Sequence, residues 1–233
     1  MTKIKPPFKC LGVLGGMGPA ATYYFCNLLL RMTPAKKDQD HIPTLVYSNT
    51  TIPDRTSQIL AKNTKPLQDK LVESVACLEA GGAQFFVSPC NTVHYFSDTL
   101  TQSARIPFIN MIEVTSTFIH HYYPGKKIGI LGTAGTLKSR LYQTPLEEKG
   151  IDVILPLEHN ITPLMSIITA IKAGRRCEST QQLLLAQVHQ LLEQGADKVI
   201  AGCTELPLLG LVREDLIDPM EVLANCCLQF AAS

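Results

Sequence analysis

Apolar and polar positions along this chain fall into two alternating patterns. Short, mostly apolar runs recur: "CLGVLG" (10–15), "TLVYSN" (44–49), "QFFVSP" (84–89), "PFIN" (107–110), "KIGILG" (127–132), "DVILP" (152–156), "KVIAG" (198–202) and "LID" (216–218). Between them lie longer segments with apolar residues at helical spacing: "AATYYFCNLLLRM" (20–32), "LQDKLVESVACLEAG" (67–81), "MIEVTSTFIHHYY" (111–123), "SRLYQTPLEEKG" (139–150) and "TQQLLLAQVHQLLEQG" (180–195). A strand without a polar face is buried on both sides, and helices between such strands cover a parallel sheet. The pattern predicts an α/β fold.

The pattern also repeats. "KCLGVLGGMG" (9–18) lies over "KIGILGTAG" (127–135) at an offset of 117, and "GAQFFVSPC" (82–90) over "GADKVIAGC" (195–203) at an offset of 113. "INMIEV" (109–114) and "IDPMEV" (217–222) share Ile, Glu and Val. Three matches in the same order indicate duplication. The expected architecture is two pseudo-symmetric lobes, each a mainly parallel sheet flanked by helices, with the active site in the cleft between them. Lobe one is expected at 1–108 plus 216–233, with the last segment, "EVLANCCLQFAAS", packed back on it. Lobe two is expected at 109–215.

Composition narrows the function. A formal net charge of +1 supplies no basic field for nucleic acid or an anionic membrane. The basic start "MTKIKPPFK" is brief and reads as a solvated end. No apolar stretch reaches the roughly 18 residues of a membrane span. "CLGVLGGMGP" is too short and glycine-rich for a signal sequence, which points to a cytoplasmic protein. Eight cysteines without a CxxC make neither a disulfide scaffold nor a local redox pair.

Two of those cysteines stand apart. Cys90 in "VSPCNT" and Cys203 in "VIAGCT" each end a predicted strand. Ligands of parallel sheets bind beyond the carboxyl ends of the strands. Asn91 or Thr92 can cap a first helix there, and Thr204 a second. A helix N-terminus favours thiolate and lowers the thiol pKa. Two thiols facing each other across one cleft suit proton removal from one side of a carbon and return to the other. Arg55, in a loop after "TLVYSN", offers a planar fork for a carboxylate. Lys172 ends a helical stretch before Gly174, as a second cation or as a partner of the helix dipole. "GGMGP" around Met17 shapes the cleft and matches no nucleotide fingerprint. Thr133 and Thr136 are hydroxyl donors to a ligand or caps of their own helix. Cys90 and His94 have no second pair at ligand spacing, so no metal is expected. His94 reads as a helix-surface residue, and His120 and His121 as an exposed helix end. Glu205 orients the site or caps helix amides; the sequence leaves both open.

The stretches "GVLGGMGPAAT" (12–22), "IPDRT" (52–56), "PCNTVH" (89–94), "GILGTAGT" (129–136), "IKAG" (171–174), "AGCTE" (201–205) and "IDPM" (217–220) resemble the aspartate racemase branch of the aspartate/glutamate racemase superfamily. They span nearly the whole chain in family order. Glutamate racemases carry Thr-His after the second cysteine and Asp and Ser in the N-terminal loop; Glu205 and "GGMGP" stand here instead. The resemblance implies racemisation of an acidic amino acid without pyridoxal phosphate or another cofactor, in a homodimer. It makes Cys90 and Cys203 the two acid/base residues, Cys203 acting on the L form and Cys90 on the D form. It puts Asn91, Thr92 and Val93 around the substrate and Arg55 and Lys172 on its carboxylates; Met17, Thr136 and Thr204 are expected beside them as substrate-binding residues, with Glu205 in support. A glutamate, hydantoin or broad-specificity racemase, or a two-lobe amino-acid-binding protein without catalysis, remains as the alternative reading.

Overall fold

The computed structural model describes residues 8–233, so most of the basic start "MTKIKPPFK" lies outside the described residues. Seven strands form two parallel sheets. β1 (Leu11–Gly15), β2 (Thr44–Ser48) and β3 (Phe85–Val87) run in the order β2-β1-β3. β4 (Ile128–Gly132), β5 (Val153–Ile154), β6 (Lys198–Gly202) and β7 (Leu216–Ile217) run in the order β5-β4-β6-β7. The first three strands of each sheet thus share one topology, as duplication requires. The helices are α1 (Pro19–Met32), α2 (Arg55–Leu60), α3 (Lys65–Ala80), α4 (Ser97–Ser103), α5 (Met111–Tyr122), α6 (Ala134–Lys138), α7 (Gln143–Glu147), α8 (Glu158–Lys172), α9 (Glu178–Glu193) and α10 (Pro219–Ala231).

Each sheet separates two apolar layers, because successive side chains of a strand point to opposite faces. Leu11 and Val13 face α1 and α10; Leu14 and Phe86 face α3 and α4. In the second sheet Ile128 and Ile130 face α5 and α7, while Leu131, Val199 and Ala201 face α8 and α9. Both central strands, β1 and β4, are buried throughout, as an all-apolar sequence demands.

The helices α5 and α10 are exchanged between the lobes. α5 follows the first lobe's strands yet places Ile112 and Ile119 under the second sheet. α10 follows the second lobe's strands yet buries Met220, Leu223, Cys227 and Leu228 under the first. Each begins with a side-chain cap: Asn110 accepts from the Ile112 and Glu113 amides, and Asp218 from the Met220 amide.

Several expectations are corrected. "PFIN" is no strand; it leaves a single bridge, Phe86 to Phe108, where the second sheet has β7. β7, expected in lobe one with 216–233, is hydrogen-bonded to β6. The helix expected over 139–150 shrinks to α7, since Arg140 adopts a positive φ of 55° and Gly150 one of 72°. The helices α2 and α6 are too short to show a period.

Matched glycines hold each sheet close to its helix. A Cβ on Gly12 would stand 2.9 Å from Ala83 Cβ and 3.3 Å from Leu78; one on Gly129 would stand 3.1 Å from Leu191. Leu78 and Leu191 are equivalent residues of α3 and α9 at the 113 offset. The Ala83 contact is with rigid, buried Cβ, which cannot swing away. Gly12→Ala should therefore destabilise the protein by about 1–3 kcal/mol. Urea unfolding of the variant against wild type checks this.

Candidate active site

The carboxyl ends of both sheets open on one small cavity. One wall brings Met17, Asp54, Arg55, Thr56, Cys90, Asn91 and Thr92; the other brings Thr133, Lys172, Cys203, Thr204 and Glu205. Cys90 and Cys203 are both buried, at 5% and 4% exposure.

The loops after β3 and β6 place the thiols by local hydrogen bonds. The Cys90 amide donates to Ser88 O, and Ser88 Oγ donates to Leu14 O in β1. Residues 91–96 then form a 3-10 turn, and residues 206–209 form another after Cys203. Neither turn has a side-chain cap, so the expected capping by Asn91, Thr92 and Thr204 is not made. The expected lowering of the thiol pKa is reversed at Cys203. Burial pushes that thiol well up, and the nearby Glu205 carboxylate pushes it further. The Cys203 thiol donates to Glu205 Oε2 at 3.0 Å, while Lys172 pulls weakly the other way. Of the two readings of Glu205, the structure selects contact with the site.

The lobes touch through polar side chains beside the cavity. The hydroxyls of Thr92, Thr133 and Thr136 lie 2.9 to 3.1 Å from one another. Thr133 also caps α6 by accepting from the Thr136 amide. Tyr142 donates its hydroxyl to Asn91 Oδ1. Thr136 is thus fully buried behind Thr92 and Thr133 and is not among the cavity's lining residues. Val93 is not among them either; its side chain packs in the apolar layer with Leu14, Met17 and Phe96.

Arg55 is the first residue of α2 rather than a loop residue, and only 8% exposed. Its Nη1 donates to Pro53 O and its Nη2 to Met17 O, which clamps the guanidinium over the cavity. Its Nε and the Nδ2 of Asn91 are buried without a hydrogen-bond partner among the described residues. None of the ion pairs among the described residues involves Arg55. Unsatisfied buried donors and a buried cation are costly, and an anionic ligand would satisfy both. Lys172 ends α8 at the cavity rim, exposed to solvent. Asp54 was not anticipated. It caps α2 by accepting from Ser57; burial raises its carboxyl, but the Ser57 hydrogen bonds and the charges of Arg55 and Lys172 hold it below the usual range.

His94 is buried rather than on a helix surface. Its Nε2 lies 3.1 Å from the Met111 amide, which can only donate. The proton therefore sits on Nδ1, which donates to Cys90 O at 2.8 Å. Both ring nitrogens are committed to backbone, so His94 cannot join Cys90 on a metal. Burial pushes its pKa down to about 4, against the pull of the Cys90 and Asn91 carbonyls.

A family model described as Asp/Glu/Hydantoin racemase matches residues 14–227. A broad specificity amino-acid racemase from Bacillus subtilis (strain 168) is 30% identical over 200 residues, 84% of this chain and 85% of that protein. A glutamate racemase from Deinococcus radiodurans is 28% identical over 165 residues, 68% of this chain and 54% of that one. The solved structure of Picrophilus torridus aspartate racemase superposes with a TM-score of 0.84 at 26% identity, covering 96% of this chain and 94% of that one. Among the described residues no helix is long and apolar enough to cross a membrane.

Two tests follow from the electrostatics. Glu205→Gln removes the charge beside Cys203, so the pH midpoint of Cys203 alkylation should fall. For His94, the unfolded chain takes up a proton near pH 6.5 and the folded protein only near 4. This stability is present above pH 6.5 and is lost as pH falls towards 4, about 3 kcal/mol by linkage. In His94→Asn the acid loss in urea unfolding should be smaller by that amount.

Proposed function

The chain belongs to the Asp/Glu/Hydantoin racemase family, and we propose that it interconverts the L and D forms of an acidic amino acid, aspartate first, with two cysteine thiols and no cofactor. The family's amino-acid racemases are isomerases. The observation that carries the finer reading is one small cavity lined by a thiol from each lobe, with unpartnered donors of Arg55 and Asn91 beside them.

In this reading the α-carboxylate takes the open hydrogen bonds of Arg55 Nε and Asn91 Nδ2. Neutralising that carboxylate stabilises the negative charge that develops when the α-proton leaves. One cysteine, as thiolate, takes the α-proton; the other, as thiol, delivers its own proton to the opposite face. The two sulfurs have then exchanged protonation states, ready for the mirror-image substrate. Two thiolates in so small a cavity would repel, so one ionises at a time. Cys203 rests as the thiol, hydrogen-bonded to Glu205. Glu205 is the group placed to take that proton when Cys203 serves as base. Lys172 at the rim supplies a cation for the side-chain carboxylate.

A chiral assay of several amino acids sorts aspartate from glutamate and from the broad specificity of the Bacillus relative. Arg55→Ala should weaken aspartate turnover by about 3 kcal/mol or more in kcat/KM, and Arg55→Lys should restore only part, because the fork is lost. Near-normal kinetics in Arg55→Ala would remove the carboxylate site from this reading.

Cys90→Ala and Cys203→Ala should each abolish racemisation. Each should still wash solvent deuterium into at most one enantiomer, a different one for each variant. A non-catalytic binding protein would exchange neither. Racemisation near the wild-type rate in either variant would end the two-thiol mechanism.

A further inference from the structure

His94 stands four residues after Cys90 and is not among the residues lining the cavity. Its buried ring joins two backbone groups: Nδ1–H donates to Cys90 O, and Nε2 accepts from the amide of Met111, the first residue of α5. That amide would otherwise be an orphan donor of the helix N-terminus. The ring also stacks on Phe108, with centroids 5.6 Å apart.

Cys90 is thus pinned on both sides of its Cα. Its amide is fixed by Ser88 O and its carbonyl by the His94 ring, leaving little freedom for the backbone that aims the thiol. Cys203 has no such device. Among the described residues its carbonyl accepts only the Leu206 amide of its own turn, and the equivalent of His94 at the 113 offset is Pro207, which has no side-chain donor. The duplicated lobes differ at this point.

Resting on the two-thiol reading, we propose that His94 is a positioning residue for the Cys90 thiol alone, fixing the Cys90 carbonyl through a neutral ring anchored on α5, and so governs proton transfer at one face of the α-carbon. With its pKa near 4 the ring stays in the form this bridge needs across the neutral range.

Racemisation between mirror images has an equilibrium constant of one, so steady-state kcat/KM values for the two enantiomers must move together. The single-thiol variants separate the faces. Solvent-deuterium exchange is measured with Cys203→Ala, where Cys90 acts, and with Cys90→Ala, where Cys203 acts. His94→Gln places its amide near the Nε2 position and can hold Met111 but not Cys90 O. His94→Asn places its amide near Nδ1 and can hold Cys90 O. His94→Gln should slow exchange by Cys90 about tenfold or more, since small misplacements of a reacting group cost that much. It should leave exchange by Cys203 within about twofold, with KM unchanged in both, and His94→Asn should restore most of the loss. Equal losses in the two backgrounds, no loss at Cys90, or no rescue by Asn would overturn the proposal.

Absence of exchange in both single-thiol parents would instead overturn the two-thiol mechanism. Iodoacetamide labelling of the intact protein, mapped by peptide mass, then still decides the role of His94. His94→Gln must change the labelling rate of Cys90 relative to Cys203 by about threefold or more. An unchanged ratio rejects the proposal.

Discussion

The contact on which the site depends is the triangle of hydroxyls from Thr92, Thr133 and Thr136. All three are buried, and each would cost free energy if left unpaired. Thr92 comes from the loop after β3, and Thr133 and Thr136 from the start of α6, so the Thr92 hydroxyl meets these partners only when the lobes come together. Gly135 lets them approach: a Cβ there would lie 3.0 Å from both Thr56 Oγ1 and Thr92 Cγ2. Tyr142 and Asn91 add a second bond across the same seam. With the seam fixed, Cys90 and Cys203 are brought to one cavity by two loops that never pair with each other.

Around that seam the polar groups divide into two kinds. Those that set geometry are satisfied within the protein: Asn91 Oδ1, both nitrogens of His94, the two Nη groups of Arg55. Arg55 Nε and Asn91 Nδ2 remain open, without a partner among the described residues. The same residue serves both purposes in Arg55 and in Asn91. Its closed bonds hold the open one in place.

The two lobes share one strand order and differ beside the cysteines. At the 113 offset Thr92 corresponds to Glu205, and His94 to Pro207. The first lobe uses its position for the seam; the second uses it for a carboxylate on the Cys203 thiol. Beside Cys90 the bond is to its backbone carbonyl, and beside Cys203 it is from the thiol to a carboxylate.

Local periodicity made much of this legible. The strands at 11–15, 128–132 and 198–202, the helices at 19–32 and 178–193, and the paired cysteines beyond their strands follow from patterns within a few residues of each other. Periodicity missed α2 and α6, which are about one turn and a half long, and it overran at Arg140, whose positive φ no pattern announces. Side-chain roles were less legible, because burial and bonding depend on partners far along the chain. Val93 follows two cavity residues yet faces the core, since the turn of 91–96 rotates it away. His94 looked like a surface residue until Met111, seventeen positions on, took its second nitrogen. The helix-dipole argument for a low thiol pKa failed at Cys203 because burial and one carboxylate outweigh a single 3-10 turn. The sequence by itself determined which elements form and which residue types reach the strand ends. Only the tertiary structure decided which of those side chains are satisfied and which stay open, because hydrogen-bond satisfaction in a buried place is a property of the whole packed neighbourhood.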